Sequence, residues 1–300
     1  MKAISQHRVG GPEVLETVEL PAPTPAAGEV LVRVAATSVN AADWKLRAGL
    51  IDKLGPPPFT LGFDVSGVVS ELGPEVTGFA VGDEVYGMVL GRSGAYAEYV
   101  VVPANYLAPK PAALNHAHAA ALPSAALTAW QALTDLRAGQ RILIHAAAGG
   151  VGHLAVQVAK ERGAYVIATA RAVNHDFVAE LGADEVIDYT TTAFDTVLTD
   201  VDVVFDLVGS DYTPRSLTVL RPDGRLIDAQ GEAALDDPRY HRHYVAPSGA
   251  DLREISALAD SGRLRPAVAH VFSMAEVAEA HRRSESGRVR GKLVLVPWPA

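Results

Sequence analysis

Three hundred residues, 49% hydrophobic and 20% charged, describe a globular chain long enough to bury two cores. A net charge of -9 argues against a nucleic-acid partner, and the densest basic run, Arg282 to Lys292, is broken by Glu285 and two glycines. The absence of cysteine excludes disulfides, thiolate catalysis and every thiolate-bearing zinc or iron–sulfur site.

In chain order, the opening MKAISQHRVGG lacks the apolar core of a secretion signal, and no run approaches the roughly 18 apolar residues of a membrane span. A cytoplasmic protein with no membrane contact is expected. To about residue 112 the chain reads as β-rich. Glu29–Val39, Phe63–Leu72, Asp83–Val89 and Ala95–Val102 carry strand formers between Gly and Pro turns, a pattern that predicts a compact barrel-like domain. From Leu114 the character changes: Asn115–Ala121 and Ser124–Leu136 are Ala/Leu-rich and helical, with Pro123 as the break between them.

Arg141 to Lys160 then reads as strand, tight turn and helix. Ile142, Leu143 and Ile144 suit a strand buried on both faces, and Leu154, Val156, Val158 and Ala159 continue at near-helical spacing. Ala147-Ala148-Gly149-Gly150-Val151-Gly152 lies at the join and matches the dinucleotide fingerprint G-x-G-x-x-G with Ala in the first glycine's place. Free N–H groups and the positive end of the helix dipole would there meet a pyrophosphate. Beyond it, strands (Tyr165–Thr169, Glu185–Ile187, Asp202–Leu207, Arg225–Ala229) alternate with helices (Asn174–Leu181, Tyr212–Leu220), which predicts a doubly wound parallel sheet over about 113–249. The tail breaks this rhythm: helix Ala250–Asp260, strand Val268–Val271, helix Met274–Arg283 and strand Lys292–Val296 let residues 250–300 rejoin the N-terminal domain.

An NAD enzyme of this architecture carries Asp or Glu at the end of the second strand, about 20 residues past the glycines, to bind the ribose hydroxyls. Here that strand ends Ala168-Thr169-Ala170-Arg171. A guanidinium there suits the 2′-phosphate of NADPH, the alternative being a solvated arginine at a strand end. Asn174 and His175 either add hydrogen bonds to the same group or cap the next helix. Val208 with Gly209, and Gln230 between Ala229 and Gly231, follow strands whose carboxyl ends form the ligand-binding edge of an open α/β sheet.

With these stretches in hand, the chain resembles the medium-chain dehydrogenase/reductase superfamily, in its zinc-independent quinone oxidoreductase branch. The resemblance rests on SVNAADWKLRAG (Ser38–Gly49), LGFDVSGVV (Leu61–Val69), GDEVYGM (Gly82–Met88), LPSAALTAWQAL (Leu122–Leu133), the glycine turn and ELGADEVIDY (Glu180–Tyr189). It implies an α/β protein with a GroES-like β-barrel catalytic domain, a Rossmann domain and a cofactor cleft between them. It further implies a homodimer through Rossmann edge strands, with Gly224–Ala229 a candidate edge. It places Thr128 near the nicotinamide ribose and Tyr189 on the adenosine phosphate side, a buried helical hydroxyl being the other reading of Thr128. Zinc-dependent alcohol dehydrogenases of the superfamily begin the first motif with Cys and carry His-Glu in the second; here Asn40 and Phe63-Asp64 stand in those places, so no metal is expected.

Without a Lewis acid, hydride transfer to an acceptor already activated by conjugation is the accessible chemistry, which makes an NADPH-dependent quinone reductase the expectation. An enone or enoyl-thioester reductase is the alternative, followed by a non-catalytic NADPH-binding protein. Asn40, Asp43 and Lys45 fall where the resemblance places substrate-proximal polar groups. Asn40 can donate its amide N–H to a substrate oxygen, Asp43 either orients neighbours, relays a proton or caps a helix at Trp44, and Lys45 acts there or is solvated. His241, Arg242, His243 and Tyr244 form a polar cluster that is either a substrate entrance or an exposed loop or hinge.

Overall fold

A computed structural model describes residues 1–231 and 235–298. The chain begins with the antiparallel pair β1 (Lys2–Ser5) and β2 (Glu16–Glu19), followed by β3 (Glu29–Val39), α1 (Ala41–Arg47), β4 (Asp64–Leu72), β5 (Glu84–Met88), β6 (Tyr99–Pro103) and β7 (Leu107–Pro109). Next come α2 (His116–Ala120), α3 (Pro123–Ala132), β8 (Arg141–Ile144), α4 (Gly152–Glu161), β9 (Tyr165–Ala170), α5 (His175–Glu180), β10 (Glu185–Asp188), β11 (Val201–Asp206), α6 (Tyr212–Val219), β12 (Leu220–Asp228) and β13 (Tyr240–Arg242). The chain closes with α7 (Gly249–Asp260), β14 (Val268–Ser273), α8 (Val277–Glu285) and β15 (Lys292–Val296).

Two compact units result. The first takes Met1–Leu127, Pro247–Gly262 and the chain from Pro266; the second takes Thr128–Ala246 and Arg263–Arg265. The change of unit thus falls after Leu127, later than residue 112, because α2 buries Ala120 and the following Ala121 against Ala36 of β3 and Val294 of β15. Pro123 is the first residue of α3 rather than a gap between helices, a position where its missing N–H costs no hydrogen bond.

The first unit is organised by β3, which is antiparallel to β4, β6 and β15. Val30, Val32 and Val34 alternate with Leu31 and Arg33 and pack with Val65, Val85, Val100 and Leu107 in one apolar core. The far end of β3 serves a second core, where Val39 meets Leu46, Phe59, Leu61, Phe272 and Leu293. β15 joins β3 by pairing Leu293 with Val39 and Leu295 with Thr37, and this register carries Lys292 to the level of Asn40.

The second unit is one parallel sheet in the order β10-β9-β8-β11-β12-β13. In chain order that is third, second, first, fourth, fifth, sixth, the arrangement of dinucleotide-binding sheets whose ligand crevice opens between the first and fourth strands. Leu143, Ile167, Val204 and Leu226 form its fully buried centre. The edge expected at Gly224–Ala229 is corrected here: Leu226–Asp228 pair with Tyr240–Arg242, so β13 covers β12. Three residues without an apolar run give a strand no sequence signal, and Tyr240–Arg242 therefore left no trace as one.

Candidate functional site

In the second unit, the turn after β8 is tied to the neighbouring strand β9 and closed on itself. Ala147 N–H donates to Thr169 O at 3.0 Å and Gly149 N–H to Ala146 O at 2.9 Å. Among the described residues, the N–H groups of Ala148, Gly150 and Val151 find no acceptor, and they lie at the start of α4, where the positive end of the helix dipole would favour an anion. Gly152 is fixed by contact: a Cβ would stand 2.3 Å from Ala146 O and 2.7 Å from the Ala147 Cα. The strained residue of the turn is Ala146, at φ 49°, a left-handed conformation that costs a non-glycine residue about 1 kcal/mol or more. Nothing in the six-residue fingerprint pointed to it.

Beneath this turn lies a buried polar centre. His145 Nε2 meets Ser216 Oγ at 2.9 Å, its Nδ1 meets Thr169 Oγ1 at 3.2 Å, and the rings of Phe194 and Tyr212 pack on it at 4.6 and 5.0 Å. Burial, with Arg215 nearby, pushes this imidazole down to about 3, so it is neutral at ordinary pH.

Because all six strands are parallel, the other expected residues line the same carboxyl edge. Arg171 is the first residue past β9, half-buried, and among the described residues its guanidinium has no hydrogen-bond or ion-pair partner. Tyr189 follows β10 and is 42% exposed. Asn174 precedes α5 without a side-chain cap bond, while His175 Nε2 reaches Ala170 O at 3.2 Å. Val208 and Gln230 sit in matching turns: Asp206 Oδ1 accepts the N–H groups of Val208 and Gly209, and Asp228 Oδ1 accepts those of Gln230 and Gly231, all at 2.7–3.0 Å. Gln230 Nε2 also donates to Leu207 O at 3.0 Å, tying the two turns together. Asp206 and Asp228 are thus builders of this edge that the sequence reading passed over. Thr128, in α3, is half-buried and has a partner of its own.

In the first unit, the polar residues of the SVNAADW motif meet a second motif and the end of the chain. Asp64, fully buried, accepts from Asn40 Nδ2 at 2.8 Å and from Ser124 N at 2.7 Å, and its Oδ2 also takes a short hydrogen bond from the Ser38 hydroxyl. The ammonium of Lys292, only 3% exposed, donates to Asn40 Oδ1 at 2.6 Å and to Val39 O at 3.3 Å, and stands 3.6 Å from Asp64 Oδ2. Burial lowers the pKa of this lysine, opposed by Asp64 and Asp43. Lys292 was read as the end of a broken, solvated basic run and as the start of a strand, and its burial corrects the first of these. Its role depends on the pairing of β15 with β3, a contact across more than half the chain.

Asp43 does not cap α1 from outside; Asn40 is the N-cap, and Asp43 in the first turn reaches back to it. Its Oδ2 accepts Asn40 N at 2.8 Å and its Oδ1 accepts Gly62 N at 2.9 Å. Gly62 has φ 104°, and a Cβ there would press on Tyr96 at 2.6 Å. With no exposure at all, Asp43 positions neighbours and touches no solvent; burial raises its pKa to about 7 against the pull of these two N–H groups. Lys45 lies half-buried with its ammonium 5.9 Å from the centre of the Trp44 ring.

The places that hold metal ligands in zinc-dependent relatives do not fit zinc here. Asn40 offers an amide bound to an ammonium, Phe63 no donor, and Asp64 is committed to Ser38, Asn40 and Ser124. Among the described residues no group of three His, Cys, Asp or Glu stands close enough to hold a metal ion. No helix is long and apolar enough to cross a membrane, again among the described residues.

Comparisons with known proteins agree with this layout. The Alcohol dehydrogenase GroES-like domain profile matches residues 26–112 and the Zinc-binding dehydrogenase profile matches 181–295. The chain is 35% identical to the chloroplastic Quinone-oxidoreductase QR1 of Triphysaria versicolor, over 99% of this chain and 98% of that protein. The chain belongs to the medium-chain dehydrogenase/reductase superfamily, in its quinone oxidoreductase branch. It is also 34% identical to the chloroplastic NADPH-dependent alkenal/one oxidoreductase of Arabidopsis thaliana, over 100% of this chain and 80% of that one. The solved quinone oxidoreductase of Coxiella burnetii superposes with a TM-score of 0.93 at 36% identity, covering 99% of each chain. Membership of the superfamily makes the chain an oxidoreductase with a nicotinamide cofactor and confirms the GroES-like and Rossmann architecture.

Proposed function

We propose that this chain is an NADPH-dependent, zinc-independent reductase of quinones. The observation that carries the reading is the replacement of a metal-ligand set by Asn40 and Asp64, both hydrogen-bonded within the protein. A site with no Lewis acid favours acceptors whose carbonyl is already conjugated. When bound, the nicotinamide supplies the hydride. The main chain of Ala148 to Gly152 would hold its pyrophosphate, and Arg171, with Asn174 and Tyr189 beside it, the adenosine end. Thr128, Val208 and Gln230 would bear on the nicotinamide end. Asn40 is the group suited to the acceptor's oxygen, with Asp43 holding it in place through its backbone.

The similarity to an alkenal/one oxidoreductase favours reduction of conjugated C=C bonds as a second reading. NADPH consumption measured against a quinone, an α,β-unsaturated ketone and an enoyl thioester separates the two. The quinone should be turned over with the highest kcat/KM; preference for the enone or thioester would establish the second reading. Tight NADPH binding with no turnover of any acceptor would reject both.

A further inference from the structure

We propose that Lys292 is the positioning residue that makes Asn40 a directed hydrogen-bond donor to the carbonyl oxygen of the acceptor, an inference that rests on the quinone or enone reading above. Asn40 is held at both ends of its amide. Its oxygen accepts from the Lys292 ammonium at 2.6 Å, and its nitrogen donates to Asp64 Oδ2 at 2.8 Å. The ion pair fixes which way the amide points: turned over, Asn40 would aim its NH2 group at an ammonium and its oxygen at a carboxylate, two repulsive contacts in a buried place.

An amide nitrogen carries two hydrogens, and Asp64 uses one. The other has no acceptor among the described residues. Asn40 is also the half-buried member of the group, whereas Ser38, Asp64 and Lys292 are buried. The half-buried member of the cluster therefore keeps one amide N–H without an acceptor among the described residues. A cation bonded to the amide oxygen draws electron density from the nitrogen, so the free N–H is a stronger donor than that of an ordinary asparagine. Negative charge grows on the acceptor's oxygen as hydride arrives at the conjugated carbon, and a fixed donor backed by a fixed positive charge stabilises it.

Stability alone does not account for the arrangement. Buried ion pairs are commonly no more stabilising than apolar residues of the same volume, while removal of one partner alone costs about 3–5 kcal/mol. The test uses that asymmetry. Lys292→Met leaves Asp64 buried without its cation, whereas Asp64→Asn with Lys292→Met removes both members of the pair. With the acceptor that the wild type turns over, both variants should lose about 10- to 100-fold in kcat, with KM for NADPH unchanged, and the double variant should melt close to the wild-type temperature. Asn40→Ala should lose a similar amount, and its combination with Lys292→Met should lose little more. A double variant with restored melting and wild-type kcat would overturn the proposal, as would fully additive losses from Asn40 and Lys292. A wild-type protein inert toward every acceptor would instead overturn the reading of the function itself.

Discussion

In the Thr128–Ala246 unit, the groups offered at the glycine turn are main-chain N–H groups of Ala148, Gly150 and Val151, and the buried polar centre beneath them, His145 with Thr169 and Ser216, is uncharged. In the other unit the corresponding place is made of side chains, Ser38, Asn40, Asp64 and Lys292, and its centre holds a carboxylate beside an ammonium. A pyrophosphate carries its charge whether or not reaction occurs, so backbone dipoles held by close packing are sufficient for it. An acceptor oxygen becomes charged only as reaction proceeds, and a directed side chain with a formal charge behind it suits that transient demand.

The contrast between a neutral and an ionised centre makes the largest prediction. His145 has its pKa lowered from 6.5 to about 3, so the unfolded chain binds a proton there that the native state does not. Its contribution to stability is complete above pH 6.5 and is lost as pH falls towards 3, at most about 5 kcal/mol in all. Asp43 works in the opposite sense, since its raised pKa favours the native state as pH falls from about 7. A His145→Asn variant isolates the histidine. Between about pH 4 and 6 its slope of unfolding free energy against pH should be smaller than the wild-type slope by about 1.4 kcal/mol per unit, and equal slopes would mean that His145 is not buried neutral.

The claim that the cradle is built by backbone packing predicts a loss of similar order from one methyl group. Gly152→Ala would set a Cβ 2.3 Å from Ala146 O, and displacement of the turn should weaken NADPH about 100-fold in a calorimetric titration. Undiminished affinity would show that the pyrophosphate lies elsewhere. The smallest effect sharpens the charged side-chain contribution proposed for this unit. Arg171→Ala should weaken NADPH about tenfold or somewhat more while leaving NADH nearly unchanged; equal losses for both would remove Arg171 from the 2′-phosphate.

The same division governs what could be read from the residues alone. The strand, glycine turn and helix were legible because their signal is local: a buried strand, small residues and an amphipathic helix follow one another within Arg141–Lys160. The position of Arg171 was legible for the same reason, one residue past the end of β9. β15 was read with the bounds it has, Lys292–Val296, yet its partner was not, because strand pairing across the whole chain leaves no mark in local periodicity. Lys292 therefore passed as the end of a broken basic run and the first residue of a strand, and Asp64 as a substitute for a ligand rather than a carboxylate with three hydrogen-bonded neighbours and an ammonium beside it. Asp43 was read as orienting neighbours, relaying a proton or capping a helix, and only the fold shows a first-turn residue reaching back to Asn40.

The pairing of β15 with β3 also bears on how the molecule is made. β15 follows every other element in the chain, so during synthesis the Thr128–Ala246 unit, nearly continuous in sequence, has all its strands before the other unit receives its last one. Until then the Val39 end of β3 has an unpaired flank and Asp64 lacks its ammonium. The Thr128–Ala246 unit can thus complete its sheet before the half that bears Asn40 has its full set of strands.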